Sequence, residues 1–391
     1  MKKRLIIQIQ LLQLVLCFGP ITRGQSTAEA AWINSTPALS RPGKIGTLAM
    51  RIVDSGRDDP FLGDGSEREL MIRFWYPAAA SAPCTQADYS SRDVWAYLSR
   101  LSGFPLPSVK TNSCAEAPVA TGVHPVIVFT HGYTGMFTDC TFLFEDLASR
   151  GYVVASVAHT YETTAVEFPD GGLITSRFGS YLAEASLRDD EQSLRFARTV
   201  RLADLKFVLD ALQRESVSGR WFAHKLDMSR VGIMGHSLGG EVALASLQRD
   251  SRWRAAVLLD APIAEEDTGG TARPLLLVHA GRQSWSEEEC SLWSHLRGPH
   301  QAANLRDADH FTPTDAVWLF PSENGSGRGR SGETVTLLRN LVVGFFDAHL
   351  RGGLANPAPV VSLSKSQDAL VTTQGQALCP SHTAVATGGL R

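Results

Sequence analysis

VGIMGHSLGGEVAL, residues 231–244, is the stretch that decides the fold class. Val231 to Gly235 is an apolar or small run that suits a strand covered on both faces, and Leu238 to Gln248 suits a helix. At the junction stands Gly235-His236-Ser237-Leu238-Gly239, a Gly-x-Ser-x-Gly match. Five residues alone are a weak signal, but a strand before and a helix after are what a nucleophile elbow requires. The serine backbone is strained in such a turn, and side chains at the flanking glycines would clash with neighbouring segments. Gly240 adds a second small residue where the helix must pack closely.

Outward from this junction, apolar runs alternate with helical patterns. Glu69 to Tyr76 reads as an early strand stopped by Pro77, and Val126 to Thr130, Val153 to Val157, Ala255 to Leu259 and Leu275 to Val278 read as buried strands. Asp139 to Arg150, ending at Gly151, and Leu194 to Leu212 have helical spacing, as does Thr334 to Leu350. Strand–helix alternation with short connections predicts an α/β fold, a mostly parallel central sheet covered by helices. The boundaries expected are one catalytic domain over 31–352, with its regular core from about residue 45, and a loosely packed C-terminal tail over 353–391. Residues 78–124, with Pro at 83, 105, 107 and 118, are expected to form an irregular insertion.

Residues 1–30 read as a signal peptide: Lys2, Lys3 and Arg4, a mostly apolar stretch from Leu5 to Phe18, then Gly19-Pro20 and small residues ending in Ala28-Glu29-Ala30. A secreted or periplasmic location is therefore expected. Apart from this segment no apolar run is long enough for a bilayer span. In an oxidising compartment one or two disulfides and an odd thiol are expected from Cys84, Cys114, Cys140, Cys290 and Cys379. Cys84 with Cys114 is one candidate pairing, since it would staple a segment rich in Ser, Pro and Ala, though sequence does not fix connectivity. With 37 Lys+Arg against 40 Asp+Glu, there is no basic excess for binding nucleic acid. No cluster has metal-ligand spacing, so neither a metal nor another cofactor is expected.

A serine hydroxyl needs a base to become a nucleophile. With chain order Ser, acid, His as a guide, His310 in the polar loop Asp307-Ala308-Asp309-His310-Phe311 is the candidate base. Asp260, ending the apolar run 255–259, is the candidate acid, because a carboxylate there needs a partner and an imidazole N–H would serve. Asp307 and Asp309 lie too near His310 in sequence, and Asp267 sits in a polar run, Glu265 to Gly270, that reads as a solvated loop. Thr130-His131-Gly132-Tyr133 ends the strand 126–130 and could offer the Tyr133 N–H opposite that of Leu238 as oxyanion donors.

The set FTHGYTG, DLASRGYVVASVAH, GHSLGGEVAL and VLLDAP resembles the α/β-hydrolase superfamily, and more narrowly the platelet-activating factor acetylhydrolase family, plasma and type II, with its bacterial relatives. The resemblance covers roughly residues 120–350, with a weaker echo in FWYPA near residue 74; residues 78–124 and 159–190 do not map cleanly. It implies the α/β-hydrolase fold, Ser237 as nucleophile, Asp260 as orienting acid, His310 as base, and the Tyr133 and Leu238 amides as oxyanion donors. Only fourteen residues separate Asp260 from the next strand, too few for the large cap domain that many relatives insert there. The implied function is a secreted serine esterase acting through an acyl-enzyme on short-chain esters of the platelet-activating-factor or phospholipid type, an ester substrate that an open site could meet at a lipid surface. The runner-up is a general carboxylesterase or cutinase-like polyester hydrolase. A non-catalytic hydrolase-fold binding module is the alternative of another class.

Overall fold

Strands as apolar as Val126 to Thr130 stay soluble only if helices cover both faces of their sheet. The computed structural model shows this arrangement and describes residues 35–102, 105–106, 108–177, 190–282, 284–306, 308–319, 331–352, 369–373 and 379. The chain enters through two long strands, β1 (Ile45–Asp58) and β2 (Glu67–Pro77), followed by β3 (Gln86–Asp88), α1 (Arg92–Ser102) and β4 (Lys110–Ala115). Next come β5 (His124–Thr130), α2 (Thr141–Ser149), β6 (Val153–Ala158), a small hairpin of β7 (Ala165–Glu167) and β8 (Leu173–Thr175), and the long α3 (Asp190–Ser218). The second half holds β9 (Leu226–His236), α4 (Leu238–Arg249), β10 (Trp253–Leu259), β11 (Leu275–Ala280), α5 (Glu287–His295) and β12 (His300–Leu305). It closes with α6 (Ala316–Leu319), α7 (Ser331–Leu350) and β13 (Ala369–Thr373).

Apart from the hairpin, these strands form one sheet in the order β13-β12-β11-β10-β9-β5-β6-β2-β1-β4-β3. The block from β12 to β6 is parallel. β2 and β1 extend it antiparallel on one side, and β13 caps it antiparallel on the other. This is the α/β-hydrolase fold. The connection from β10 to β11 carries a single short 3-10 turn, Glu265–Asp267, so no large cap stands there.

Alternate residues of the central strands feed two cores. Val126 and Val128 of β5 pack with α3 and α4 on one face. Ile127 and Phe129 pack with α2 and α7 on the other. Each such side chain contributes about 1.5–3 kcal/mol when fully buried, which is why these runs define the sheet. The chain builds β5 and β6 outward on one side, then crosses back through α3 to lay β9 on the other side of β5. That reversal makes the crevice beyond the carboxyl ends of β5 and β9 the switch point where ligands bind in such sheets.

Several expectations need correction. Residues 78–124 are not irregular throughout: β3, α1 and β4 occupy part of the segment, and β4 pairs with β1. The alternating, partly exposed pattern of these edge elements lacks the continuous apolar run that marks a central strand. Cys84 and Cys114 within it are bonded to each other. The tail contains β13 on the edge of β12, and Cys379 is bonded to Cys290, so these residues are tied to the domain. Cys140 is a buried free thiol. Residues 1–30, like most of 353–391, lie outside the described residues.

Candidate active site

Three loop ends meet at the switch point. β9 delivers Ser237, which adopts φ 53° and ψ −125°, a left-handed φ that few non-glycine residues hold, before Leu238 opens α4. The turn is forced by close backbone approach: a Cβ on Gly239 would lie 2.0 Å from the Thr130 carbonyl oxygen, and one on Gly235 would lie 2.2 Å from that of Gly239. Its hold on the sheet is the Ser237 N–H donated to the Leu259 carbonyl at 2.9 Å. Asp260, at the end of β10, also has a positive φ, 43°, and donates its N–H to the Val278 carbonyl at 2.6 Å. His310 sits in the loop between β12 and α6.

These three side chains form one chain of hydrogen bonds. His310 Nε2 lies 2.9 Å from Ser237 Oγ, and His310 Nδ1 lies 2.7 Å from Asp260 Oδ2. The other carboxylate oxygen, Oδ1, accepts from the Ala280 N–H at 3.1 Å and from Arg282 Nε at 3.0 Å. Burial alone would raise the Asp260 pKa, but the His310 hydrogen bond and the Arg282 charge outweigh it and hold the carboxyl well below its ordinary range. It is therefore an anion at neutral pH, suited to fix an imidazole with its hydrogen on Nδ1 and its lone pair on Nε2 facing the serine.

Asp309 is engaged elsewhere, accepting from the Phe311 N–H and the Thr312 hydroxyl of its own turn. Asp307 lies outside the described residues. Asp267 is not in a solvated loop: it is fully buried and paired with Arg198 and Arg249. A polar run reads as solvated only while its partners, 69 and 18 residues away, go unrecognised.

The turn after β5 places Gly132 against the nucleophile, so close that a Cβ there would lie 3.4 Å from Ser237 Cβ and 3.0 Å from His236 Nδ1. Leu238 heads α4, and the first-turn N–H groups of a helix have no partner within it. Gly132, which precedes Tyr133, thus lies beside Ser237, and Leu238 follows the nucleophile at the head of its helix.

Two residues that sequence reasoning did not single out shape this mouth. His236 donates from Nε2 to the His310 carbonyl at 2.8 Å, pinning the loop that carries the imidazole. Burial, reinforced by the nearby His310, pushes its pKa down to about 3, so it is neutral at pH 7. Arg282 holds Asp260 on one side and Glu289 on the other, with Glu289 fixed by a capping box at the start of α5. His236 is the variable residue of the elbow motif, which offered a signal; Arg282 offered none beyond its place after a strand end.

Among the described residues no group of three or more His, Cys, Asp or Glu side chains is placed to hold a metal ion. Nor is any helix among them long and apolar enough to cross a membrane.

The chain has counterparts among known proteins. The model of the family "Platelet-activating factor acetylhydrolase, isoform II" matches residues 63–169 and 205–300. Platelet-activating factor acetylhydrolase of Canis lupus familiaris is 23% identical over 296 residues, covering 66% of this chain and 66% of that protein. The Cavia porcellus enzyme of the same name is 27% identical over 202 residues, covering 47% of this chain and 46% of that protein. The chain thus spans just under two thirds of the length of the first of these relatives and about half of the other. A solved structure of a ferulic acid esterase from Streptomyces cinnamoneus superposes with a TM-score of 0.68 at 30% identity, covering 87% of this chain and 99% of that one. Since the family model takes in over half the residues, including the elbow, Asp260 and the turn after β5, the chain belongs to the platelet-activating factor acetylhydrolase isoform II family.

Proposed function

We propose that the protein is a serine esterase that hydrolyses carboxylic esters through an acyl-enzyme. The observation that carries this reading is the unbroken line from Ser237 Oγ through His310 to Asp260, with contacts of 2.9 and 2.7 Å. In the reaction His310 Nε2 takes the Ser237 proton as Oγ attacks the ester carbonyl carbon. The Tyr133 and Leu238 N–H groups receive the oxyanion, and Asp260 stabilises the imidazolium. Collapse of the tetrahedral adduct expels the alcohol with the proton from His310. Water, deprotonated by the same imidazole, then releases the acid from Ser237. None of these steps calls for a metal or an organic cofactor.

For the substrate, family membership and the names of the mammalian relatives favour short acyl esters of the platelet-activating-factor or phospholipid type. The ferulic acid esterase, similar along 87% of this chain, favours a second reading, a general carboxylesterase that accepts bulkier acids. Two disulfides support an oxidising compartment, and so an exported protein with residues 1–30 as its signal peptide and 31–352 as its catalytic domain. The deciding experiment offers purified protein a series of p-nitrophenyl esters from acetyl to dodecanoyl, an acetyl-phospholipid and methyl ferulate, and maps a fluorophosphonate adduct by mass spectrometry. Turnover with the adduct on Ser237 is expected, with acetyl to butyryl esters fastest. A protein that hydrolyses none of them and takes up no fluorophosphonate is a binding module. Turnover with the adduct on another residue overturns the assignment of Ser237.

A further inference from the structure

We propose that Arg201 is a positioning residue for oxyanion stabilisation, its buried guanidinium fixing the His131-Gly132-Tyr133 turn so that the Tyr133 N–H is aimed at the ester oxygen. The inference rests on the serine-esterase reading above. Arg201 lies on α3 in helical register with Ala197, Leu205 and Val208, residues that fill the core, yet it is itself completely buried. A guanidinium at a core position costs stability unless each donor finds an acceptor. Here the donors divide between one carboxylate and one turn. Nε bonds Glu162 Oε1 at 2.8 Å and Nη2 also reaches that oxygen. Nη1 donates to the His131 carbonyl, and Nη2 to the Gly132 carbonyl at 2.9 Å.

Two successive carbonyls drawn to one cation fix two successive peptide planes. In a trans peptide the N–H points opposite to the C=O, so anchoring Gly132 O sets the direction of the Tyr133 N–H. That oxygen is held from further sides, by His131 Nδ1 at 2.8 Å and by the Gly135 N–H at 3.0 Å. A carbonyl can only accept, so His131 carries its hydrogen on Nδ1, which leaves Nε2 to face the His159 N–H at 3.4 Å. The cation adds to this geometry. Charge drawn toward the Gly132 oxygen polarises the same amide and strengthens its N–H as a donor, as hydrogen bonds in series do in a low dielectric. Oxyanion donors contribute to rate only when aimed beforehand, and Gly132, where a Cβ would come within 3.0 Å of His236 Nδ1, has the backbone freedom that would otherwise let the turn drift.

The test compares Arg201→Lys, and the double variant Arg201→Met with Glu162→Gln, which removes the ion pair without leaving a lone buried charge. Each is assayed on an ester and on its thionoester, whose C=S sulfur accepts hydrogen bonds poorly and so draws little from oxyanion donors. Expected is a fall in ester kcat of roughly 10- to 100-fold, the scale of a weakened oxyanion donor, with KM changed less than about threefold and the ester-to-thionoester rate ratio falling with kcat. Arg201→Lys, which keeps the charge and one contact, should fall between wild type and the double variant. If kcat drops while the ester-to-thionoester ratio stays at the wild-type value, Arg201 supports the fold alone and the proposal is wrong; unchanged kcat also overturns it. If the double variant does not fold, the same two criteria applied to Arg201→Lys decide. A wild-type protein that hydrolyses no ester instead removes the esterase reading itself, and the two failures are thus distinct.

Discussion

Asp260→Asn is the perturbation whose consequence the geometry defines most sharply. In the native site Asp260 Oδ1 accepts from two donors, the Ala280 N–H and Arg282 Nε, while Oδ2 accepts from His310 Nδ1. An asparagine must put its single oxygen where the two donors are, because its NH₂ would oppose both. The NH₂ then faces His310 Nδ1, which can accept only if its hydrogen moves to Nε2. Nε2–H now points at Ser237 Oγ and cannot take its proton. By analogy with other Ser-His-Asp triads the cost reaches ~10⁴ in kcat, which corresponds to ~5.5 kcal/mol of transition-state stabilisation.

The assay is kcat and KM for p-nitrophenyl acetate, with circular dichroism to verify folding and Asp309→Asn as comparator. The carboxylate of Asp309 accepts from the Phe311 N–H and the Thr312 hydroxyl, roles an asparagine oxygen can also fill, so its loss should be about tenfold or less. Asp307→Asn is expected to behave likewise. If Asp309→Asn is as damaging as Asp260→Asn with both folded, or if Asp260→Asn keeps a tenth of the activity, the assignment of the acid fails. The same variant has a stability signature. A carboxyl whose folded pKa lies below its ordinary value of 3.8 stabilises the fold above that pH and loses the contribution as pH falls through the folded pKa. The stability gap between wild type and Asp260→Asn should therefore narrow below about pH 4.

Two further perturbations separate fold from chemistry. Asp267→Asn breaks a buried carboxylate pairing with Arg198 and Arg249. Because Arg198 keeps Glu241 and Glu266, the expected loss is about 1–3 kcal/mol, seen as a Tm lower by roughly 3–8 °C with kcat within tenfold of wild type; a large kcat loss in a folded protein would contradict this. Gly239→Ala sets a methyl 2.0 Å from the Thr130 carbonyl oxygen and 2.6 Å from that of His131. Since both are backbone atoms, the turn itself must move, and at least a tenfold loss of kcat is expected together with about 1–3 kcal/mol of overpacking cost. Wild-type kinetics in that variant would show that the turn need not be rigid.

The strands that build the site were legible because their physics is local. β5, β6, β10 and the second half of β9 are buried on both faces, so each announces itself as a continuous run of apolar or small residues, and the elbow between β9 and α4 needs glycines visible in the sequence. Chain order then led to Asp260 and His310. β1 was not read as a strand, since beyond Ala49 its residues alternate between exposed and half-buried against β2 on the outer half of the sheet, with polar residues throughout. β13 is a five-residue strand whose only sheet neighbour among the described residues is β12, surrounded by sequence without periodicity.

What stayed hidden is the set of buried charges that hold the site in place. An arginine on a helix or after a strand is ordinarily solvated, and nothing within ten residues of Arg201 or Asp267 reveals its partners, while Arg282 has only Glu289 that near in sequence. Arg201 meets Gly132 across 69 residues and Arg282 meets Asp260 across 22. One signal was nevertheless present. Along α3, Ala197, Leu205 and Val208 form the buried stripe, and Arg201 falls on it at the i+4 step from Ala197 and the i−4 step from Leu205. A charge on the apolar face of an otherwise regular helix is a local conflict, and such conflicts collect where function outweighs stability. The same stripe that marks α3 as a core helix therefore marks Arg201 as a residue with work at the site.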